Sequence, residues 1–383
     1  MSPSNGSLVI SGGWNADYSL ALGSASDPLG ATEINANLLR SGLRVQASAG
    51  VLELRRLRFF RGRGVGPDNG GNLSAEIAGS AHLRLHDVHF LEGSATHVGA
   101  GALIALRGAA RLEANDCTFQ QNQISAANAY FGVGLAINAG NNATASLTRM
   151  AVLGGEGVGG VEGYGSGIDV LAGNEVVLTI ADSVLSSNTS SASSGASVVS
   201  VLALNSAVVS LERVRVQLNN ASASASHQVL LDRRDQSTIH LSNSVISDSS
   251  MAALAAVAQA GVGGIVLNNL TLTRNAAPGL LLDLGGSLLT LNNSIVHNNG
   301  MSLLKAVGVN NLGANVGLPA PSFAGPSDYR LAAGSPGIDQ GTVAVPMGLG
   351  AFDVDRKPRV VGLQVDIGAS EFVSDVILRS GFE

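Results

Sequence analysis

Two carboxylates facing one groove can divide acid and base work, and an arginine beside acids can act as the base. In this 383-residue chain the acids to weigh for a paired-carboxylate hydrolase are Asp169 and Asp232. The run Leu231-Asp232-Arg233-Arg234-Asp235 holds the types a polysaccharide lyase needs: Arg233 as base, with Asp232 and Asp235 for Ca²⁺ and a uronate. Those types are crowded into one run, and sequence neighbours on a strand point apart. A solvated ion-pair cluster is therefore the preferred reading. A second acidic set is Asp339, Asp353, Asp355, Asp366 and Glu371. Ca²⁺ takes several oxygen ligands, so Asp353, Asp355 and Asp366 are candidate ligands. The plainer alternative is a network of surface turns. No other cofactor is expected. Aligning runs that open with glycine puts His97, Tyr130 and Gly163 in one column, with Val98, Phe131 and Tyr164 beside it. His97, Tyr130, Phe131 and Tyr164 then form a candidate platform for stacking on sugars, against the reading that they only pack.

Other chemistries are missing. The chain has no GxSxG, P-loop or HExxH motif, and its seven histidines lack metal-ligand spacing. His82, His86 and His89 are expected to face solvent by strand parity. Net charge is -6, so nucleic acid is not an expected partner. Cys117 is the only cysteine, which excludes an internal disulfide. No signal peptide is visible near Met1, and no transmembrane segment is expected. The most apolar stretch, Met251 to Leu267, is short for a membrane span and reads better as a buried pair of strands.

These candidates must be positioned by a repeat. One eight-residue pattern recurs nine times, as in LELRRLRF from Leu52, LRLHDVHF from Leu83 and LTIADSVL from Leu178. Its last residues are Phe59, Phe90, Phe119, Val152, Leu185, Val216, Ile246, Leu272 and Val296, spaced 24 to 33 residues apart. Each copy is apolar at positions one and three, and again at six and eight. Alternation means a half-buried strand, and the step of three demands a bend at the polar pair. Each copy is therefore a strand, a corner and a second strand. The corner column reads Arg56, Asp87, Asp116, Arg149, Asp182, Arg213, Asn243, Asn269, Asn293. Asparagine tolerates the left-handed backbone that a sharp corner needs. The last three are expected to form an amide ladder along the stack. Phe59, Phe90 and Phe119 should stack inside the core.

The glycine-opened runs GAGALIAL, GVGLAINA and GYGSGIDVLA supply a further wall. The fold expected is all-β: a single-stranded right-handed parallel β-helix, a solenoid of about nine to eleven coils with a C-terminal cap. The expected parts are an N-terminal capping coil over 1–50, repeats over 51–300, a cap over 301–372 and a tail over 373–383. Trp14 is expected to fill the N-terminal cap.

The glycine-opened runs followed by CTFQQN, VLSSN, LTLTRN and SIVHNN resemble the repeats of polymorphic outer-membrane proteins. More broadly, residues 7–300 are similar to the pectin-lyase-like β-helix superfamily. DYRLAAGSPGIDQG, DVDRKPR and VDIGASEF resemble the choice-of-anchor Q domain of bacterial surface proteins, with Arg356 where that family usually has glycine. The resemblance implies an exported protein, extracellular or on a bacterial outer surface, and no Asn-Thr-Asp, Gly-His-Gly or Arg-Ile-Lys set of the polygalacturonases is present. The expected role is a monomeric, non-enzymatic adhesion, scaffold or carbohydrate-contact module, with polysaccharide or a host-surface glycan as partner. The alternative is a polysaccharide lyase or glycoside hydrolase acting on acidic polysaccharide.

Overall fold

The computed structural model describes residues 6–12, 32–66, 70–223, 226–259, 261–276, 280–284, 288–300 and 308–373. Trp14 and the tail beyond residue 373 lie outside them.

The repeats stack in register as a parallel β-helix. Leu52 pairs with Leu83 and Leu83 with Leu112, while Phe59 pairs with Phe90, Phe90 with Phe119, and Phe119 with Val152. The same column continues through Leu185, Val216, Ile246, Leu272 and Val296. Residues about thirty apart in the chain thus sit over one another. The rings of Phe59 and Phe90 stack at 5.5 Å, and those of Phe90 and Phe119 at 4.8 Å, fully inside the core.

Every residue of the corner column has a left-handed backbone, with φ between 48° and 57°. The bend that parity demanded is therefore a single left-handed residue. A second left-handed corner follows five residues later in each repeat, at Arg61, Glu92, Gln121, Gly154, Ser187, Leu218, Asp248, Arg274 and Asn298.

Three parallel sheets wrap the core. The repeats form a bent sheet of 16 strands, the glycine-opened runs form a sheet of 11, and short strands beyond the second corner form one of 6. The apolar stretch near residue 260 is a pair of strands, Ala252–Ala258 and Gly264–Asn275, with mostly buried residues. Among the described residues no helix is long and apolar enough to cross a membrane.

A row of buried asparagines follows the second corner and ties the coils together. Asn122 Nδ2 donates to Phe90 O at 3.0 Å, Asn188 Nδ2 to Val152 O at 3.1 Å, and Asn219 Nδ2 to Leu185 O at 3.2 Å. Asn275 and Asn299 repeat the bond to Ile246 O and Leu272 O. The ladder expected at Asn243, Asn269 and Asn293 does not form. Asn243 donates to Leu349 O at 2.6 Å, and Asn293 exchanges bonds with Thr342. Those two amides turn to the C-terminal segment, which covers that corner.

The C-terminal segment is more than an end cap. Leu312 packs on Ile295 at the last coil. The chain then runs back along the outside of the bent sheet as a strap. Its most distant ties are Asp355 with Arg215 at 2.5 Å and Arg356 with Asp182 at 3.2 Å.

Candidate functional site

Outward residues of the 11-stranded sheet fall into two columns. One runs Arg44, Ser74, Leu103, Ala136, Asp169, Ser200, Leu230; the other runs Gln46, Glu76, Ala105, Asn138, Leu171, Leu202, Asp232. They floor a groove whose N-terminal part is a cleft of about 510 Å³, walled on one side by His97, Val98 and Phe131.

That wall is built by a glycine after each coil's outer residue. Gly99, Gly132 and Gly165 have φ of 57°, 55° and 69°. A Cβ at Gly132 would lie 2.4 Å from Leu135 O, so the close turn requires glycine. Phe131 pairs with Tyr164 in register, and their rings stack at 5.4 Å and 7°. His97 meets Phe131 edge-on at 5.5 Å. All three are half-buried on the outside.

Tyr130 does not join them. It is wholly buried, its ring filling the space over Gly157 and Gly163, and its hydroxyl bonds the Ser190 hydroxyl. In a three-residue strand, parity turns Tyr130 inward when Phe131 faces out. Tyr130 therefore has no place on the sugar platform.

The stack ends at Tyr164. In the next coil Gly195 and Ala196 pair with Glu162 and Gly163 and no aromatic residue continues the stack, which leaves a hollow of about 230 Å³ lined by Glu162, Tyr164, Ser194, His227 and Leu230. The Tyr164 hydroxyl donates to Glu162 Oε2 at 2.6 Å, and burial together with that carboxylate pushes its pKa up to about 12. Burial pushes His227 down to about 4, so it is a neutral polar group near pH 7. On the groove floor, burial pushes the Asp169 carboxyl up to about 7, partly offset by the Ser200 hydroxyl.

The structure does not gather the other acid–base candidates. Arg233 is wholly buried and holds the carbonyls of Asp235 and Gln259, so it cannot reach a groove ligand as a base. Asp232 pairs with Arg234 at 2.8 Å, and Asp235 caps the Asn205 amide. Asp169 and Asp232 lie two coils and two residues apart, roughly 12 Å between backbones at ordinary strand spacings.

The C-terminal acids are occupied by the strap itself. Asp353 accepts the amides of Asp355, Lys357 and Glu371, and Asp366 accepts those of Asp339 and Phe372. Asp355 binds Arg215, and the buried Glu371 faces Arg359 at 3.3 Å. Among the described residues no group of three or more His, Cys, Asp or Glu is arranged to hold a metal ion.

The fold and site define a parallel β-helix with an aromatic-walled outer groove. No family model and no curated protein matches the chain. Among solved structures, pectate lyase Pel9A is similar, with 13% identity, 96% of this chain and 97% of that chain covered, and a TM-score of 0.39. So distant a likeness carries no argument about activity.

Proposed function

We propose that the protein is an exported, non-enzymatic carbohydrate-contact module, with the outer groove as its binding element. The observation that carries this reading is the Phe131–Tyr164 stack, whose last ring opens onto a hollow with polar edges. An apolar ring face beside hydroxyl, imidazole and carboxylate groups suits the CH face and hydroxyl rim of a sugar. Acids outnumber arginines along the groove: Glu76, Glu162 and Asp169 stand against Arg44 and an Arg107 already bonded to Asn138. Neutral glycans fit this balance better than uronates. The test is a glycan array followed by calorimetry on the best ligand. Tyr164→Ala should weaken binding at least tenfold; unchanged affinity removes the groove from consideration.

One observation favours catalysis as a second reading. Asp169, with its carboxyl near 7, has the tuning of a general acid. Release of reducing ends from a polysaccharide, abolished by Asp169→Asn, would support a hydrolase; no release with intact binding supports the contact module.

A further inference from the structure

The outer face of the bent sheet changes character along the solenoid. Over the last three repeats, under the strap, it is neutral and buried, as at Ser242, Ser247, Asn268, Thr271 and Asn292. The strap's last side-chain bond is to Asp182 in the fifth repeat, and the first four repeats lie beyond it. There the strand Val51–Phe60 points Arg55 and Arg58 outward, with Arg56 at its corner and the carboxylate of Glu53 bound to Arg55. The strand His82–Leu91 adds His82, Arg84, His86 and His89, with Asp87 at its corner. The next strand adds Arg111 and Glu113, and Asp116 at that corner is held by Arg149 at 2.5 Å.

Cations exceed acids on this face, and the acids are engaged. Glu113 lies 3.7 Å from Arg84 and 3.8 Å from His82, while Asp87 lies 3.6 Å from His89. Arg58 and Arg111 form no salt bridge with any described residue, and Arg58 Nε is buried without a hydrogen-bond partner. Arg111, His82 and Ser80 also line a hollow of about 310 Å³ at the edge of the face. In register Arg55 pairs with His86, Arg58 with His89 and Arg111 with His82, so each arginine of these pairs has a histidine one strand spacing away, ~4.8 Å.

We propose that this cationic face, which the described part of the strap leaves uncovered, binds a sulfated polysaccharide, independently of the aromatic groove. Sulfate esters suit it because they stay fully charged at acid pH, where His82 and His89 gain charge. Burial and the neighbouring arginines hold His82 and His89 below the usual histidine value, so both are neutral near pH 7. Acidification then adds positive charge among Arg55, Arg56, Arg58, Arg84 and Arg111, against Glu53, Asp87, Glu113 and Asp116. Binding should tighten as pH falls and weaken with salt.

The experiment measures binding of dextran sulfate to the full chain at pH 7.5 and 5.0 and constant ionic strength, with unsulfated dextran and polygalacturonate beside it. We expect about tenfold tighter binding of dextran sulfate at pH 5.0. Arg58→Ala with Arg111→Ala should weaken it at both pH values. His82→Gln with His89→Gln should leave affinity at pH 7.5 and remove most of the gain at pH 5.0. An unchanged melting profile shows that the variants fold. Absence of binding, insensitivity to both pairs of substitutions, or equal binding of polygalacturonate or unsulfated dextran would overturn the proposal.

Discussion

Asn188→Ala tests whether the buried asparagine row holds the coils together. Asn188 is fully buried. Its Oδ1 accepts the Gly155 amide at 2.9 Å, and its Nδ2 donates to Val152 O at 3.1 Å and to Asn219 Oδ1 at 3.1 Å. Alanine strands the Gly155 N–H in a dry interior, at about 1–3 kcal/mol. Losing the donor to Val152 O costs about 1 kcal/mol more. The expected total is ~2–4 kcal/mol, read from urea midpoints by circular dichroism with the slope unchanged. Asn174→Gly is the matched control. Asn174 also belongs to an asparagine row, bonding Asn141 and Asn205, but it is exposed. Glycine keeps its left-handed φ of 43°, so the expected change is within about 0.5 kcal/mol. Equal losses in the two variants, or a loss below about 1 kcal/mol for Asn188→Ala, would refute the reasoning.

Three further outcomes are expected. A Cβ at Gly163 would lie 2.3 Å from the Tyr130 hydroxyl oxygen, so Gly163→Ala should cost ~1–3 kcal/mol, and much less in a Tyr130→Leu background, as a double-mutant cycle would show. The Asp169 carboxyl rises from an ordinary 3.8 to about 7 on folding, so the folded chain holds a proton that the unfolded chain has released in between. Stability should therefore fall as pH rises across that window, and Asp169→Asn should flatten the dependence between urea midpoints at pH 4.5 and 7.5. Asp355→Ala removes the carboxylate that Arg215 binds, so limited proteolysis within the strap should speed up while global stability changes by less than about 1 kcal/mol.

Much of the fold could be read from the chain because the repeat carries its own geometry. The step of three between apolar positions demanded a corner, and the nine residues it singled out, from Arg56 to Asn293, are all left-handed. The second corner escaped notice because its column runs from Arg61 and Glu92 to Leu218 and Asn298 with no common chemistry. Its residues share a backbone conformation, which side-chain type does not report. Asn122, Asn188, Asn275 and Asn299 were visible as motif endings, but their inward direction depends on that hidden corner. The aromatic site was half legible: Phe131 and Tyr164 do align. Tyr130 does not join them because adjacent residues of one strand face opposite sides, so only one of Tyr130 and Phe131 can reach the groove. The ladder expected at Asn243, Asn269 and Asn293 failed because a segment more than forty residues downstream of Asn293 claims Asn243 and Asn293 instead, a contact that local pattern does not encode.

The strap also changes how the molecule comes apart. A simple solenoid frays from its ends, each coil peeling away once its neighbour has gone. Here one segment is riveted at Asn293, Asn268, Asn243, Arg215 and Asp182. The terminal coil cannot peel alone without shearing ties that reach several coils inward. A tug applied at that end is shared along the flank, as a batten stiffens a sail.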